Sequence, residues 1–207
     1  MGDYRNTDSC PSLEKISEKK SALVQGLSRN HYLFVQKGSG KQEFAKIYNH
    51  KCAYCGVLTD IKRISCFQID HIVCKTSERW KEKEGKDDIS NLAFSCEECN
   101  QSKHDFEITS EYDNVLNPDY GLGEVFTRDE NSYAISISDC YKNDETIKSF
   151  YRKMHFDSTF RRIDYLLVKM HRLKENQSIS EELSEKIGSL YLELLEKVNN
   201  SIWSFQE

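Results

Sequence analysis

The sequence predicts an α+β fold, and three features carry that prediction. Two Cys-x-x-Cys pairs, Cys52–Cys55 and Cys96–Cys99, have the spacing of a closed four-cysteine zinc site. Between them, residues 63–70 alternate apolar and polar side chains as a β-strand does. The last third of the chain repeats its apolar residues at helical spacing. A small zinc-held core with helices around it accommodates all three features.

The four paired cysteines are predicted to bind one structural zinc ion. Each Cys-x-x-Cys turn directs two sulfurs to one point, and four thiolates leave no open position on the metal. The chain has eight cysteines, and its first residues lack the basic-then-apolar order of a signal peptide. We therefore expect zinc-bound thiolates in the cytoplasm rather than disulfides. The remaining cysteines, Cys10, Cys66, Cys74 and Cys140, are interpreted as ordinary small or buried residues.

Short elements are predicted upstream of the first cysteine pair. They are a loosely attached segment at 1–10, a helix at 11–28, an extended piece at 31–35 and a short helix at 44–48. Gly38-Ser-Gly-Lys41 resembles a phosphate-binding loop. However, Val35 stands where that loop needs its first glycine, and Gln42 stands where it needs Ser or Thr for Mg²⁺. We therefore predict a turn there.

The elements predicted downstream end in a helical hairpin. They are a polar loop at 76–88, a helix at 99–104, a strand at 133–138 and two helices at 160–173 and 183–202. Ser178 and Glu181 have the spacing of a capping box for the last helix. Two helices joined near 174–178 cannot hide their apolar stripes alone. Packing on the rest of the chain is the favoured interpretation, with a homodimer or another protein partner as alternatives.

These elements divide the chain into four segments. They are an N-terminal helical or flexible segment at 1–40, a core at 41–110, a connecting α/β extension at 111–148 and the helical hairpin at 149–207. No run of 18 apolar residues is present, so no membrane span is expected.

The stretch from Cys52 to His104 resembles the HNH endonuclease family. The matching motifs are Cys52-Ala-Tyr-Cys55-Gly56, Ile69-Asp70-His71-Ile72-Val73, Ile89-Ser90-Asn91-Leu92 and Cys96-Glu-Glu-Cys99-Asn100-Gln-Ser-Lys103. The resemblance implies a ββα-metal core with a structural zinc. The position after the last cysteine is often His in this family, and here it is Asn100.

The same resemblance implies a role for each polar residue of the motifs. His71 would be the general base and Asp70 a ligand of a catalytic Mg²⁺ or Mn²⁺. Asn91 would hydrogen-bond near His71 and fix its ring. Asn100 would be the second ligand of the catalytic metal, with His104, one helical turn later, as the alternative.

Charge indicates where nucleic acid would bind. The net charge of −5 and a pI near 5.8 argue against binding through bulk charge. Residues 151–175, however, hold seven Lys or Arg against three Asp or Glu. The expected phosphate contacts are Arg161, Arg162, Lys75 and, by the family resemblance, Lys103, with Arg79, Lys81, Lys83 and Lys86 as further candidates. A solvated face is the alternative interpretation of each charge run.

A second resemblance covers more of the chain. Residues 116–119, 124–126, 150–153 and 161–164 are similar to motifs of the PtuB-like HNH subunits of Septu-type antiphage defence. This implies the DNA-cleaving subunit of a bacterial antiphage complex with an ATPase. The alternative function is a non-catalytic, zinc-stapled module that binds nucleic acid or protein.

Overall fold

The computed structural model describes residues 3–6, 15–28, 30–81, 84–174 and 179–203, the last five without their side chains. The helices are α1 Ile16–Val24, α2 His31–Val35, α3 Gly38–Ile47, α4 Glu97–Lys103, α5 Leu122–Val125, α6 Glu145–Lys153, α7 Thr159–Lys174 and α8 Glu181–Trp203. The strands are β1 Phe67–His71, β2 Leu92–Cys96, β3 Phe126–Arg128 and β4 Ile135–Ile137. This mixture of helices and two small sheets confirms the predicted α+β class.

The centre of the fold is a β1–β2–α4 unit. The two strands are antiparallel, with Phe67 opposite Cys96 and His71 opposite Leu92. Helix α4 begins at the residue after β2, so the second cysteine pair spans the strand-to-helix junction. The Phe67 and Phe94 rings stack at 4.9 Å between the two strands. The unit places the Asp70-His71 dipeptide at the end of a buried strand beside α4.

The first residues described are part of the core, which corrects the expected loose attachment of this end. Tyr4 is buried and packs edge-on against Phe126 and Phe156. Its hydroxyl donates to the carbonyl of Tyr54, inside the first cysteine pair. These contacts are long-range in sequence, so no local pattern indicates them. The other residues of the segment, 1–2 and 7–10, lie outside those described.

Two expectations just before the first cysteine pair are wrong. Residues 31–35 form helix α2 rather than an extended piece, and the side chain of Asn30 caps it by accepting from the Leu33 amide at 3.0 Å. The Gly38-Ser-Gly-Lys41 stretch is the first turn of α3. A Cβ atom on Gly40 would lie 2.1 Å from the carbonyl oxygen of Phe34. Glycine is therefore required here because α2 and α3 approach closely, and not for phosphate binding.

The C-terminal helices differ in how much they bury. Helix α7 turns Leu167 and Val168 into the protein, whereas none of the described side chains of α8 is buried. Helix α8 packs on α7. The predicted capping residue Ser178 lies outside the described residues. None of the described helices is both long and apolar enough to span a membrane.

Candidate functional site

The four paired cysteines meet at one buried point. Their sulfurs all lie within 4.8 Å of one another, and each residue is at most 6% exposed. The Sγ atoms of Cys55 and Cys96 are 3.8 Å apart. In a tetrahedral zinc site with Zn–S bonds of about 2.3 Å, the edge between two sulfurs is roughly 3.8 Å. The donor set and its spacing therefore fit zinc.

Local hydrogen bonds shape the first cysteine pair into a metal-binding turn. The amide of Tyr54 donates to the Cys52 sulfur at 3.4 Å, and the Gly56 amide donates to the Cys52 carbonyl at 3.0 Å. The Ala53 amide donates to Phe94 O at 2.7 Å, which ties the turn to β2. Gly56 has φ +80°, a conformation that favours glycine. The turn is thus built locally and then fixed to the central strand pair.

Arg161 lies beside the thiolates, which corrects its expected exposure to phosphate. It is only 6% exposed, and its guanidinium donates to the carbonyl of Met154 at 3.2 Å. Burial alone would lower its pKa, but the four thiolates raise that pKa well above its ordinary value. A zinc ion with four thiolates carries two net negative charges, so with zinc bound Arg161 would offset part of the charge of the site.

Other basic residues expected at phosphate differ in their surroundings. Arg162 is exposed. Arg79 instead binds both carboxylate oxygens of Asp113, at 2.7 and 2.8 Å, and the carbonyl of Ile108 at 3.0 Å. Arg79 is therefore held in the protein. Lys83 lies outside the described residues.

Asp70 accepts two buried hydrogen bonds. One comes from the hydroxyl of Tyr54, and the other from the ammonium of Lys103 at 3.1 Å. Lys103 also donates to the carbonyl of His71 at 2.8 Å. Lys103 is fully buried, so it does not serve as the exposed phosphate contact that was expected. It locks α4 onto the end of β1.

The seam between β1 and α4 presents oxygen donors suited to a hard cation. Gln68 and Asp70 lie two residues apart and so share one face of β1. The amide of Asn100 bonds to the amide oxygen of Gln68 across the seam. His104, by contrast, follows the end of α4, is 72% exposed and pairs with Asp105 at 2.9 Å. The structure therefore brings Asn100, rather than His104, to the strand that carries Asp70.

The donor chemistry of this seam fits Mg²⁺ or Mn²⁺. These ions prefer carboxylate and amide oxygens, and an ionised carboxylate has about four acceptor positions. Asp70 can therefore ligate a cation while it accepts from Tyr54 and Lys103. Because the Lys103 ammonium already offsets the charge of Asp70, metal affinity is expected to be lower than for a free carboxylate.

His71 is held on the other side of the strand end. Its Nε2 lies 2.8 Å from Oδ1 of Asp87, and its ring centre lies 4.7 Å from that of Tyr32. Burial lowers the pKa of His71, although the hydrogen bond to Asp87 acts in the opposite direction. Burial by itself would raise the pKa of Asp87, but hydrogen bonds from Asn30 and His71 lower it. Both shifts favour a neutral imidazole beside an ionised carboxylate.

Asn91 holds the backbone rather than the His71 ring. Its side chain accepts from the Val73 amide at 2.9 Å and donates to the Val73 carbonyl at 3.1 Å. It also donates to the carbonyl of Lys86 at 2.8 Å. Asn91 therefore joins the segment that follows His71 to the loop that carries Asp87. The expected hydrogen bonds near His71 are thus made to the backbone of Val73, two residues further along the chain.

An open cleft of about 730 Å³ lies beside Asp87. Its lining includes Lys75, Lys81 and Lys86. Lys75 is exposed, and its ammonium lies 4.1 Å from the centre of the Tyr32 ring, which in turn contacts His71. The lining also holds three acidic side chains, so its formal charges balance, and the three lysines are individual candidates for phosphate contacts.

Substituting Lys103 by methionine tests its buried role. Methionine has similar length but no charge, so Asp70 would keep a buried charge without its cation. We expect the free energy of unfolding to fall by about 3–5 kcal/mol in urea titrations with zinc bound. The double variant Lys103→Met/Asp70→Asn should recover much of this loss, because no charge then remains unpaired. Unchanged stability together with weaker DNA binding would instead support the phosphate contact.

The fold and the site together define a ββα unit with a buried four-cysteine cluster that could hold a metal ion and an Asp-His pair at its strand end. Residues 52–106 match the model of the HNH endonuclease family, so the chain contains an HNH endonuclease domain. Over 71 residues the chain is 34% identical to a protein of Bacillus subtilis (strain 168) named as an SPbeta prophage-derived HNH endonuclease, YoqL. The aligned part is 34% of this chain and spans about 30% of the length of that relative. No solved structure matches the chain. The family supports a nuclease function for this domain.

Sequence analysis missed three residues around this site. Asp87, Asn30 and Tyr54 all bond to His71, Asp70 or each other. Tyr54 lies between Cys52 and Cys55, so the sequence pattern marks the two cysteines and not the tyrosine. Asp87 lies in a charged loop whose composition is typical of a solvated segment. The sequence around Asn30 indicates only a helix N-cap. The matched residues 52–106 include neither Asn30 nor the rest of α2.

Proposed function

We propose that this domain is a metal-dependent endonuclease that hydrolyses phosphodiester bonds of DNA. The observation that carries the proposal is the arrangement of side chains at the end of β1. There, a neutral His71 and a carboxylate, Asp70, are adjacent in sequence, and each is fixed by side-chain hydrogen bonds. Asn100 approaches the same strand from α4. A base and a cation site are the two components that hydrolysis of a phosphodiester requires.

The chemistry assigned to the chain is a single displacement at phosphorus. His71 takes a proton from water while the water oxygen forms a bond to phosphorus. The bond from phosphorus to the leaving oxygen breaks, and that oxygen departs with the electron pair. Asp70 and Asn100 would hold Mg²⁺ or Mn²⁺, which supplies positive charge to stabilise the developing oxyanion. Lys75, beside His71, is positioned to bind a neighbouring phosphate.

The experiment that tests the proposal is cleavage of defined substrates under controlled metal. The zinc-loaded protein, exchanged into buffer without other divalent ions, is incubated with supercoiled plasmid, single-stranded DNA or RNA. We expect DNA cutting only after Mg²⁺ or Mn²⁺ is added. Cutting of RNA alone would reassign the substrate.

A binding module is the second candidate, and one observation favours it. Both oxygens of Asp70 have partners in a buried network with Tyr54 and Lys103, as in a purely structural ion pair. Such a module would bind DNA without cutting it, with or without any of the added cations. The cleavage assay therefore separates the two functions directly.

We also propose that the helical hairpin binds a partner protein, with an ATPase subunit of an antiphage complex as the first candidate and a second copy of the chain as the other. Exposed leucines on α8, Leu183, Leu190 and Leu192, support this proposal. Co-purification with an ATPase encoded beside this gene, compared with a Leu190→Asp/Leu192→Asp variant, tests it.

A further inference from the structure

The loop before β2 and helix α2 meet at the ring of His71. Asp87, from the loop, lies 2.8 Å from His71 Nε2. Its other carboxylate oxygen accepts from the side-chain amide of Asn30 at 2.8 Å. Tyr32, on α2, covers the imidazole with its ring. An orienting carboxylate and a packing ring thus act on one imidazole, and α2 supplies both Tyr32 and the amide that holds the carboxylate.

An ionised carboxylate can only accept hydrogen bonds. The proton between Asp87 and His71 must therefore belong to Nε2 of the imidazole. A neutral imidazole with its proton on Nε2 has a free electron pair on Nδ1. The contact consequently selects one of the two tautomers of His71, and it selects the atom that can act as a base.

We infer that Asp87, held by Asn30, is the positioning residue of His71 and makes Nδ1 the atom that accepts the proton from water. The inference rests on the proposed nuclease function, because it assigns the geometry of its general base. It also gives α2, which lies outside the HNH match, a part in the active site.

The position of Asp87 is itself determined by its surroundings. The Asn91 side chain binds the carbonyl of Lys86, the residue before Asp87. Asp88, the residue after it, caps the next turn by accepting from the Ser90 amide at 2.9 Å. Asn30 uses its oxygen to cap α2 and its nitrogen to hold Asp87. The carboxylate is therefore fixed on both sides before substrate binds.

The test compares Asp87→Asn with its neighbour Asp88→Asn. Asparagine at position 87 keeps the size of the side chain but removes the charge that demands a proton on Nε2. Asparagine at position 88 keeps its cap, since Asn and Asp cap equally well. The variant Asn30→Ser keeps the cap of α2 and removes only the amide that holds Asp87.

Two measurements test the positioning role of Asp87. Nitrogen-15 spectra of the ring atoms report the tautomer of His71, which is identified by the signals that His71→Ala loses. We expect the proton on Nε2 in the parent and in Asp88→Asn, and a mixture of tautomers in Asp87→Asn. Because a positioned base contributes about 10²–10⁴-fold, kcat should fall by roughly that range in Asp87→Asn, with little change in KM. The kcat of Asn30→Ser should lie between those of the parent and of Asp87→Asn. The kcat of Asp88→Asn should stay near that of the parent.

Contrary results are equally specific. A proton on Nδ1 in the parent would overturn the inference, as would a parental rate in Asp87→Asn. A loss of rate that excess Mn²⁺ restores, with the tautomer unchanged, would make Asp87 a metal ligand instead. If the parent cuts no substrate at all, the proposed function fails, whereas the tautomer measurement still decides the contact between Asp87 and His71.

Discussion

Replacing Cys52 or Cys99 by serine is expected to release the zinc and unfold the domain. The four sulfurs are buried and within 4.8 Å of one another, so a missing thiolate leaves three thiolates at an incomplete site. Structural zinc binding provides roughly 10–16 kcal/mol of apparent free energy in small domains, and whole domains are stable by only about 5–15 kcal/mol. We expect about one zinc per chain in the parent and close to none in either variant.

Metal content, circular dichroism and urea unfolding measure this effect. Cys66→Ser and Cys140→Ser are the matched controls, because those thiols lie outside the cluster and are less buried. Both controls should keep the zinc and the stability of the parent. Zinc retained by both Cys52→Ser and Cys99→Ser would exclude the four-cysteine site. Cleavage should disappear with the zinc as well, since α4 then loses the attachment that places Asn100 and Lys103.

Replacing His71 by alanine is expected to remove nearly all cleavage while zinc and fold remain. The side chain lies at the end of β1, away from the cysteine cluster in sequence, and its partner Asp87 keeps the bond from Asn30. Removal of a general base costs about 10²–10⁴-fold in rate. Plasmid cutting measured under saturating metal should fall by that range, and the zinc content should not change.

His104→Asn is the informative comparison for this variant. His104 is exposed at the end of α4, and asparagine removes its imidazole while keeping a polar side chain. We expect a rate near that of the parent, because its neighbour is Asp105 rather than the Asp70 strand. Equal cutting by His71→Ala and the parent would exclude the nuclease interpretation of the Asp-His motif. A cleavage rate of His104→Asn far below that of the parent would instead support His104 as a ligand of the catalytic metal.

The sequence by itself determined the parts of this protein whose physics is local. The four-cysteine site follows from the Cys-x-x-Cys turn, which sets the distance between two sulfurs within four residues. The strand before His71 and the two last helices follow from their side-chain periods, which are properties of the backbone. The motif order then placed Asp70, His71 and Asn100 around one strand and one helix.

Only the tertiary structure decided what each charged residue does. The charge run indicated a phosphate contact for Arg161, and the family resemblance implied one for Lys103, although lysine and arginine serve such contacts only where they are exposed. Both are buried, because α4 packs on β1 beside a carboxylate and α7 passes the thiolates. The pairing of Asp87 with His71 depends in the same way on a loop and a helix that are distant in sequence. A sequence pattern shows only which residue types recur and at what spacing. The partner of a charged side chain is determined by packing between distant segments, and that partner determines the role of the side chain.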